Sequence, residues 1–99
     1  MAERKLTHNP LAAWTEIEGE IVVISPQDSV LHQLNGTGSF IWRHADGQRS
    51  AGDIAELMAG EFEVTPEQAR ADADEFVAYL VEKKLLVRED AAAEVKSVG

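Results

Sequence analysis

The stretch SVLHQLNGTGSFIWRHA, residues 29–45, changes from the repeat of a β-strand to the repeat of an α-helix. Its first six residues place alternate side chains on opposite faces, as a strand does. The next four, NGTG, interrupt that strand and include two suitable helix N-caps, Asn35 and Thr37. Apolar residues then recur at helical spacing as far as Ala45. We therefore expect a strand, a tight turn and a short helix in this order.

The residues before this stretch predict a β-hairpin. β-Branched and aromatic residues are frequent in residues 12–24, and Glu18-Gly19-Glu20 divides them with a turn. A second turn follows at residues 25–28 (SPQD), where proline fixes a backbone angle that suits a tight bend. With the strand at residues 29–34, the hairpin predicts a three-stranded antiparallel sheet. Such a sheet has two edge strands with unpaired backbone N–H and C=O groups.

Two further helices are predicted after the short one. Ser50 and Asp53 resemble a capping box at the start of a helix that ends near Gly60. Residues 65–68 (TPEQ) then open a longer helix, which is expected to extend to about Lys84. The element order β-β-β-α-α-α predicts an α+β fold that is winged helix-turn-helix-like, with a three-stranded antiparallel sheet followed by three α-helices.

Ninety-nine residues are enough for one domain. We expect it at residues 12–88, between a flexible N-terminal arm at residues 1–11 and a disordered tail at residues 89–99, which is polar and rich in alanine. Residues 85–87 (LLV) are expected to pack back as a short extended segment. The sequence contains no apolar run that could span a membrane and no signal peptide pattern, so we expect a cytoplasmic protein.

The composition excludes several classes of function. Nine Lys and Arg against eighteen Asp and Glu give a net charge of −9, which disfavours nucleic acids and anionic membranes as partners. The absence of cysteine excludes thiolate nucleophiles and cysteine-based zinc sites. The histidines His8, His32 and His44 lack the spacing of a metal site, and no serine lies in a Gly-x-Ser-x-Gly motif. We therefore expect no enzyme activity, no catalytic residue, no metal and no cofactor.

The predicted fold is compatible with two non-catalytic functions. The first is that of a winged-helix DNA-binding regulator. The region from Asp53 to Glu82 carries nine acidic residues and one basic residue, Arg70, so a recognition helix drawn from it would repel phosphates. The second alternative is a scaffold subunit of an enzyme complex that binds no peptide.

Several segments resemble the PqqD-like family at the same time. Residues 34–42 (LNGTGSFIW) are similar to that family's Leu-Asn, Thr-Gly and Ile-Trp signature. Residues 46–50 (DGQRS) are similar to its Asp-Gly-x-x-Ser/Thr turn, and residues 74–80 (DEFVAYL) to its Asp-x-Phe-Val-x-x-Leu pattern. Residues 84–87 (KLLV) are similar to an ending whose first position is often glycine. The resemblance covers residues 14–88.

This resemblance implies a recognition element for ribosomally made, post-translationally modified peptides. In that family the third strand is an open edge, and the leader of a precursor peptide joins it as a fourth antiparallel strand beside the third helix. The chain would then bind a peptide without catalysing a reaction. The expected peptide-binding residues lie on the third strand and on the third helix, where they recur at spacings of three and four beside the apolar stripe: Val30, Leu31, His32, Gln33, Leu34, Asp72, Glu75, Phe76, Tyr79 and Lys83.

The implied partners are the leader region of a precursor peptide and a maturation enzyme, which is a radical-SAM enzyme, a cyclase or a leader peptidase. The open strand could also pair with a second copy of the chain, which leaves a homodimer open. The acidic face of the third helix has two interpretations. It selects a leader that carries Lys or Arg, or it keeps the protein soluble.

Overall fold

The computed structural model describes residues 4–89, which form three helices and two small antiparallel sheets of three strands each. The elements are β1 (Lys5–His8), β2 (Ala13–Ile17), β3 (Glu20–Ile24), β4 (Leu31–Gln33), α1 (Gly36–His44), β5 (Arg49–Ser50), α2 (Ala51–Glu61), α3 (Pro66–Glu82) and β6 (Leu86–Glu89). The strand order is β2-β3-β4 in one sheet and β5-β1-β6 in the other. This arrangement confirms the predicted α+β fold.

The sheet β2-β3-β4 is the predicted three-stranded meander. Ile17 lies opposite Glu20, so the hairpin between β2 and β3 turns in two residues, Glu18 and Gly19. Both have a positive φ, 52° and 85°. This is the hairpin turn whose twist matches that of the flanking strands. Along β3 the side chains alternate in exposure, so that one face of the sheet lies on the core.

The sheet β5-β1-β6 differs from the sequence prediction, which assigned residues 1–11 to a flexible arm. Lys5–His8 instead form the central strand, between Arg49–Ser50 on one side and Leu86–Glu89 on the other. Leu6 of this strand is 1% exposed and belongs to the hydrophobic core. The N-terminal strand is therefore part of the packed domain.

The described residues cover part of the C-terminal segment for which the sequence predicts an extended stretch and a disordered tail. The extended segment expected at residues 85–87 corresponds to β6, which begins at Leu86 and continues to Glu89. The disordered tail expected at residues 89–99 lies outside the described residues, except for Glu89.

The first two helices begin at side chains that accept backbone hydrogen bonds. Asn35, rather than Thr37, caps α1, with its Oδ1 atom 2.8 Å from the Gly38 nitrogen. Ser50 and Asp53 form the predicted capping box at the start of α2. The Ser50 N–H donates to the Asp53 carboxylate at 3.0 Å, and this bond lowers the pKa of that carboxyl. Both caps pair N–H groups that have no partner within the helix.

The third helix begins where predicted and ends two residues earlier than expected. Thr65 caps α3 and accepts a hydrogen bond from the Gln68 N–H at 3.1 Å. The helix ends at Glu82 because Lys84 has a φ of 65°, in the left-handed region. A residue in the left-handed conformation ends a helix when its own N–H and the N–H of the next residue donate to carbonyls of the last helical turn.

Two hydrogen bonds complete this C-terminal motif. The Lys84 N–H donates to the Val81 carbonyl at 3.0 Å, and the Leu85 N–H donates to the Leu80 carbonyl at 2.9 Å. This is the bonding pattern of a Schellman motif. Its left-handed position is usually glycine, since a side chain there contacts the neighbouring carbonyl. Lys84 therefore occupies a conformation that costs free energy.

A buried serine connects β3, β4 and α1. The Ser39 hydroxyl accepts a hydrogen bond from the Ile21 N–H at 3.0 Å and donates to the Leu34 carbonyl at 3.1 Å. The Leu34 N–H donates directly to the Ile21 carbonyl at 2.8 Å. The hydroxyl thus bridges the Ile21 N–H and the Leu34 carbonyl, so both groups of the last residue pair between the two strands have partners where the chain leaves the sheet. Ser39 is 1% exposed, so solvent does not reach these groups.

We expect Ser39→Ala to lower the free energy of unfolding by about 2–4 kcal/mol, because it leaves one N–H and one C=O buried without partners. Urea denaturation measures the loss. Ser25→Ala is the matched control: Ser25 is also buried, but its hydroxyl bonds the exposed Asp28 carboxylate and has a 3.5 Å contact with the carbonyl of exposed Lys83. Its loss should be below about 1 kcal/mol, since water can solvate both acceptors when the hydroxyl is removed. Equal losses for the two variants would contradict the bridging role of Ser39.

We expect Lys84→Gly to raise the free energy of unfolding by about 0.5–1 kcal/mol, because glycine adopts the left-handed conformation without steric cost. Thermal denaturation measures the change. Lys83→Gly is the control, since Lys83 has an ordinary φ of −82° and glycine only adds unfolded-state freedom there. Stabilisation by both substitutions, or by neither, would contradict this explanation.

Candidate functional site

Strand β4 pairs with the rest of the chain along one side. Among residues 4–89, no strand pairs with its second side. The Leu34 N–H donates to the Ile21 carbonyl at 2.8 Å, and the Ser25 N–H donates to the Val30 carbonyl at 2.9 Å. Directly bonded pairs alternate along an antiparallel ladder, so His32, midway between Val30 and Leu34, also directs its backbone groups toward β3.

The backbone groups of Leu31 and Gln33 therefore point away from β3. Each of these residues presents an N–H and a C=O along the free edge of the sheet. The Leu31 side chain is 59% exposed on the outer face. The Gln33 side chain donates from Nε2 to the Glu20 carboxylate at 2.6 Å on the same face. The free edge thus has a regular set of donors and acceptors for an additional strand.

Two other predicted strand residues present no backbone group to this edge. The Val30 N–H donates to the Asp28 carboxylate at 3.2 Å, a bond that lowers the pKa of Asp28. The Val30 carbonyl accepts the bond from Ser25. Leu34 is 3% exposed, and its N–H and C=O both have partners inside the chain. We therefore assign Leu34 to the core and leave it out of the candidate site.

A groove of about 420 Å³ lies between α3 and the segment where β4 leads into α1. Its lining residues are Asn35, Thr37, Asp72, Glu75, Phe76 and Tyr79. The sequence predicts the four residues from α3, whose spacing of three and four places them on one face of the helix. It indicates Asn35 and Thr37 as helix caps and not as site residues. Their position directly after β4 could have identified them as groove residues, because a groove that follows this strand extends beyond its last residue.

Two contacts define how α3 lies over β4 and α1. The Phe76 ring lies against Gly38 of α1, where an added Cβ would be 2.5 Å from Cζ of the ring. Tyr79, one turn further along α3, lies against His32 of β4. The helix therefore runs in the direction opposite to β4 and α1. Only glycine at position 38 leaves space for the Phe76 ring in this arrangement.

A second group of side chains lies at the end of the groove near β4. His32 Nδ1 is 3.1 Å from the Tyr79 hydroxyl, and the two rings meet edge-on. The Lys83 Nζ atom is 5.8 Å from the centre of the Tyr79 ring. Tyr79 is nevertheless 41% exposed. These contacts restrain an aromatic ring that still has a solvent-accessible surface, which suits the binding of an apolar side chain.

The opposite end of the groove is negatively charged. The Asp72 carboxylate accepts a hydrogen bond from Gln68 Nε2 at 2.9 Å, which restrains its position. Glu75 follows three residues later on the same face and is exposed. The Phe76 ring lies between these carboxylates and Tyr79, with its centre 6.3 Å from that of the Tyr79 ring. The groove is therefore acidic at one end and aromatic at the other.

The three histidines lie on three different elements. His8 of β1 stacks on Trp42 with ring centres 3.8 Å apart, and His44 of α1 packs against Phe40 at 4.4 Å. Burial lowers the pKa of His44. Among residues 4–89, no group of three or more His, Cys, Asp or Glu side chains could hold a metal ion. In the same part of the chain, none of the helices has the length and apolar character needed to cross a bilayer.

The fold and the groove together define a small α+β domain with an open strand edge beside its longest helix. The chain belongs to the PqqD family, because the family model for coenzyme PQQ synthesis protein D matches residues 20–86. This range extends from the start of β3 to the start of β6 and includes the whole groove. A search of curated proteins found no match.

Two solved structures have a similar fold. TbiB1 in complex with the TbiA(beta) leader peptide has a TM-score of 0.74 and 22% sequence identity, and the match covers 81% of this chain and 93% of that one. Lasso peptide synthetase B1 complexed with the leader peptide also has a TM-score of 0.74 and 22% identity, with 84% and 98% covered. At this level of identity the comparison establishes the fold.

We expect Gly38→Ala to lower the free energy of unfolding by about 1–3 kcal/mol, because the new methyl group displaces the Phe76 ring. Gly36→Ala is the matched control in the same helical turn, where an added Cβ has no atom within 4 Å. That substitution should be neutral or stabilising, since alanine favours the helix. Urea denaturation of both variants measures the difference, and similar effects would contradict the contact between Gly38 and Phe76.

Proposed function

We propose that this chain is a non-catalytic peptide-binding module that captures the leader segment of a ribosomally synthesised precursor peptide. The leader adds to β4 as a fourth antiparallel strand and forms hydrogen bonds with Leu31 and Gln33. Its inward side chains enter the groove beside α3. The observation that carries this proposal is the free edge of β4 directly beside a groove with aromatic side chains. Strand addition takes affinity from the main chain and specificity from pockets for alternate side chains.

Three further observations support this proposal. The chain belongs to the PqqD family, and the two solved structures compared above are complexes with leader peptides. The groove begins where the edge strand ends, and Tyr79 of its wall contacts His32 of that strand, on the face toward which alternate side chains of an added strand would point. The acidic α3 face is unfavourable for the alternative partner, DNA, because its carboxylates repel phosphates.

The bound leader keeps the rest of the precursor close to a maturation enzyme, which performs the chemistry. That enzyme is a radical-SAM enzyme, a cyclase or a leader peptidase, and the exchange takes place in the cytoplasm, where the ribosome releases the precursor. A raised effective concentration of substrate is the physical benefit of such a module. A homodimer formed through β4 would use the same edge, so leader binding would dissociate it.

We expect Leu31→Pro to weaken leader binding by at least about tenfold, because it removes an outward N–H and places the proline ring against the added strand. Leu31→Ala is the matched control, since it shortens the same side chain but keeps the N–H. Fluorescence anisotropy measures both affinities, with labelled leader peptides taken from short reading frames next to the gene for this chain. Circular dichroism checks that both variants are folded.

Two results would contradict strand addition at β4. One is unchanged affinity of folded Leu31→Pro, and the other is an equal loss for the proline and alanine variants. His32→Pro separates the two sides of the strand, because the His32 N–H is directed toward β3. That variant should lose thermal stability, as proline removes a bond within the sheet.

A further inference from the structure

The groove beside β4 has different chemistry at its two ends. Asp72 and Glu75 line the groove and precede Tyr79 on α3, so they lie toward the end of the groove that is farther from His32. The other end lies beside β4, where the Tyr79 ring contacts His32. A peptide that runs along the groove therefore passes the acidic end and the aromatic end in a fixed order.

The direction of the peptide follows from the direction of α3. The contacts of Phe76 with Gly38 and of Tyr79 with His32 show that α3 runs opposite to β4. An antiparallel guest strand also runs opposite to β4, so it runs in the same direction as α3. Its earlier residues lie next to Asp72 and Glu75, and its later residues lie next to the Tyr79 ring.

The spacing of the two contacts follows from helix and strand geometry. Glu75 and Tyr79 are four helical residues apart, which is about 6 Å along α3. An extended strand advances about 6.6 Å over two residues, and residues i and i+2 point to the same face. A guest side chain beside the carboxylates and a second one beside the Tyr79 ring are therefore separated by one residue.

We infer that the groove selects a leader segment in which Lys or Arg stands two residues before an apolar side chain. This inference rests on the proposed function and names the class of peptide that the same site binds. The long stem of Lys or Arg packs along the Phe76 ring while its charged end reaches Asp72 and Glu75. The apolar side chain two residues later packs on the exposed surface of Tyr79.

The position of the carboxylates argues against solubility as their only role. Gln68 donates to Asp72 and restrains this carboxylate at the wall of the groove. An acidic leader residue at that point would be repelled by both carboxylates, and the chain as a whole carries a net charge of −9. Charges that only favour solubility have the same effect anywhere on the surface. A preference for a basic leader residue at this point therefore distinguishes a selecting role of the two carboxylates from a role in solubility alone.

The test begins with selection of random twelve-residue segments, displayed on phage, on the immobilised wild-type protein at low salt. We expect enrichment of Lys or Arg followed two residues later by an apolar residue. An enriched peptide and its version with Lys replaced by Glu are then synthesised with a fluorescent label. Anisotropy should show that wild type prefers the basic version by about tenfold, the size expected from two partly exposed ion pairs and the loss of repulsion.

Two double variants separate the local effect from the net charge. Asp72→Asn with Glu75→Gln should reduce the preference to below about twofold. Glu61→Gln with Glu63→Gln changes the net charge equally, but these residues do not line the groove, so the preference should stay. An equal loss in both double variants would overturn the inference. Enriched peptides without a basic residue, or with the basic residue after the apolar one, would also overturn it.

The proposed function and this inference fail in different ways. If the selection yields no peptide whose affinity falls in Leu31→Pro, strand addition at β4 is wrong and both conclusions fall. If the enriched peptides depend on the Leu31 N–H but show no basic residue at this spacing, only the inference falls.

Discussion

The hydroxyl group of Ser39 determines how the sheet β2-β3-β4 ends. It accepts a hydrogen bond from Ile21 and donates one to Leu34, so the last backbone groups of the ladder are paired as the chain turns into α1. The chain enters a helix at this point, and no later strand among residues 4–89 pairs with the second side of β4. The outward backbone groups of Leu31 and Gln33 therefore have no strand partner. An exposed edge of this kind invites pairing with another chain.

The same junction also sets the shape of the groove. Gly38 lies one residue before Ser39 and is in contact with the Phe76 ring, which brings α3 close to the start of α1. One turn further, Tyr79 meets His32 on β4. The helix is thereby held beside the free edge at a distance that leaves room for side chains between them. The free edge and the groove thus lie next to each other, which is the arrangement that strand addition requires.

The helix starts and the hairpin could be predicted because each depends on residues that are close in sequence, as in the capping box at residues 50–53. The strand Lys5–His8 could not, because it contains a single buried apolar residue and pairs with Arg49–Ser50 and Leu86–Glu89, far along the chain. The residues of the candidate site also include some that local sequence predicts and some that depend on distant parts of the chain. Helical spacing identified the face of α3, whereas the outward groups of β4 depend on a register that no local pattern specifies. The turn that sets this register ends with Ser29 at a φ of 60°, which is unusual for serine.

Amide hydrogen exchange followed residue by residue by NMR tests the free edge most directly. In the monomeric protein without peptide, the N–H groups of Leu31 and Gln33 should exchange rapidly, while those of His32 and Leu34 should be protected. Saturation with a bound leader peptide should protect Leu31 and Gln33 and leave His32 and Leu34 unchanged. Protection of Leu31 and Gln33 before peptide is added, or their rapid exchange in the saturated complex, would contradict strand addition at β4.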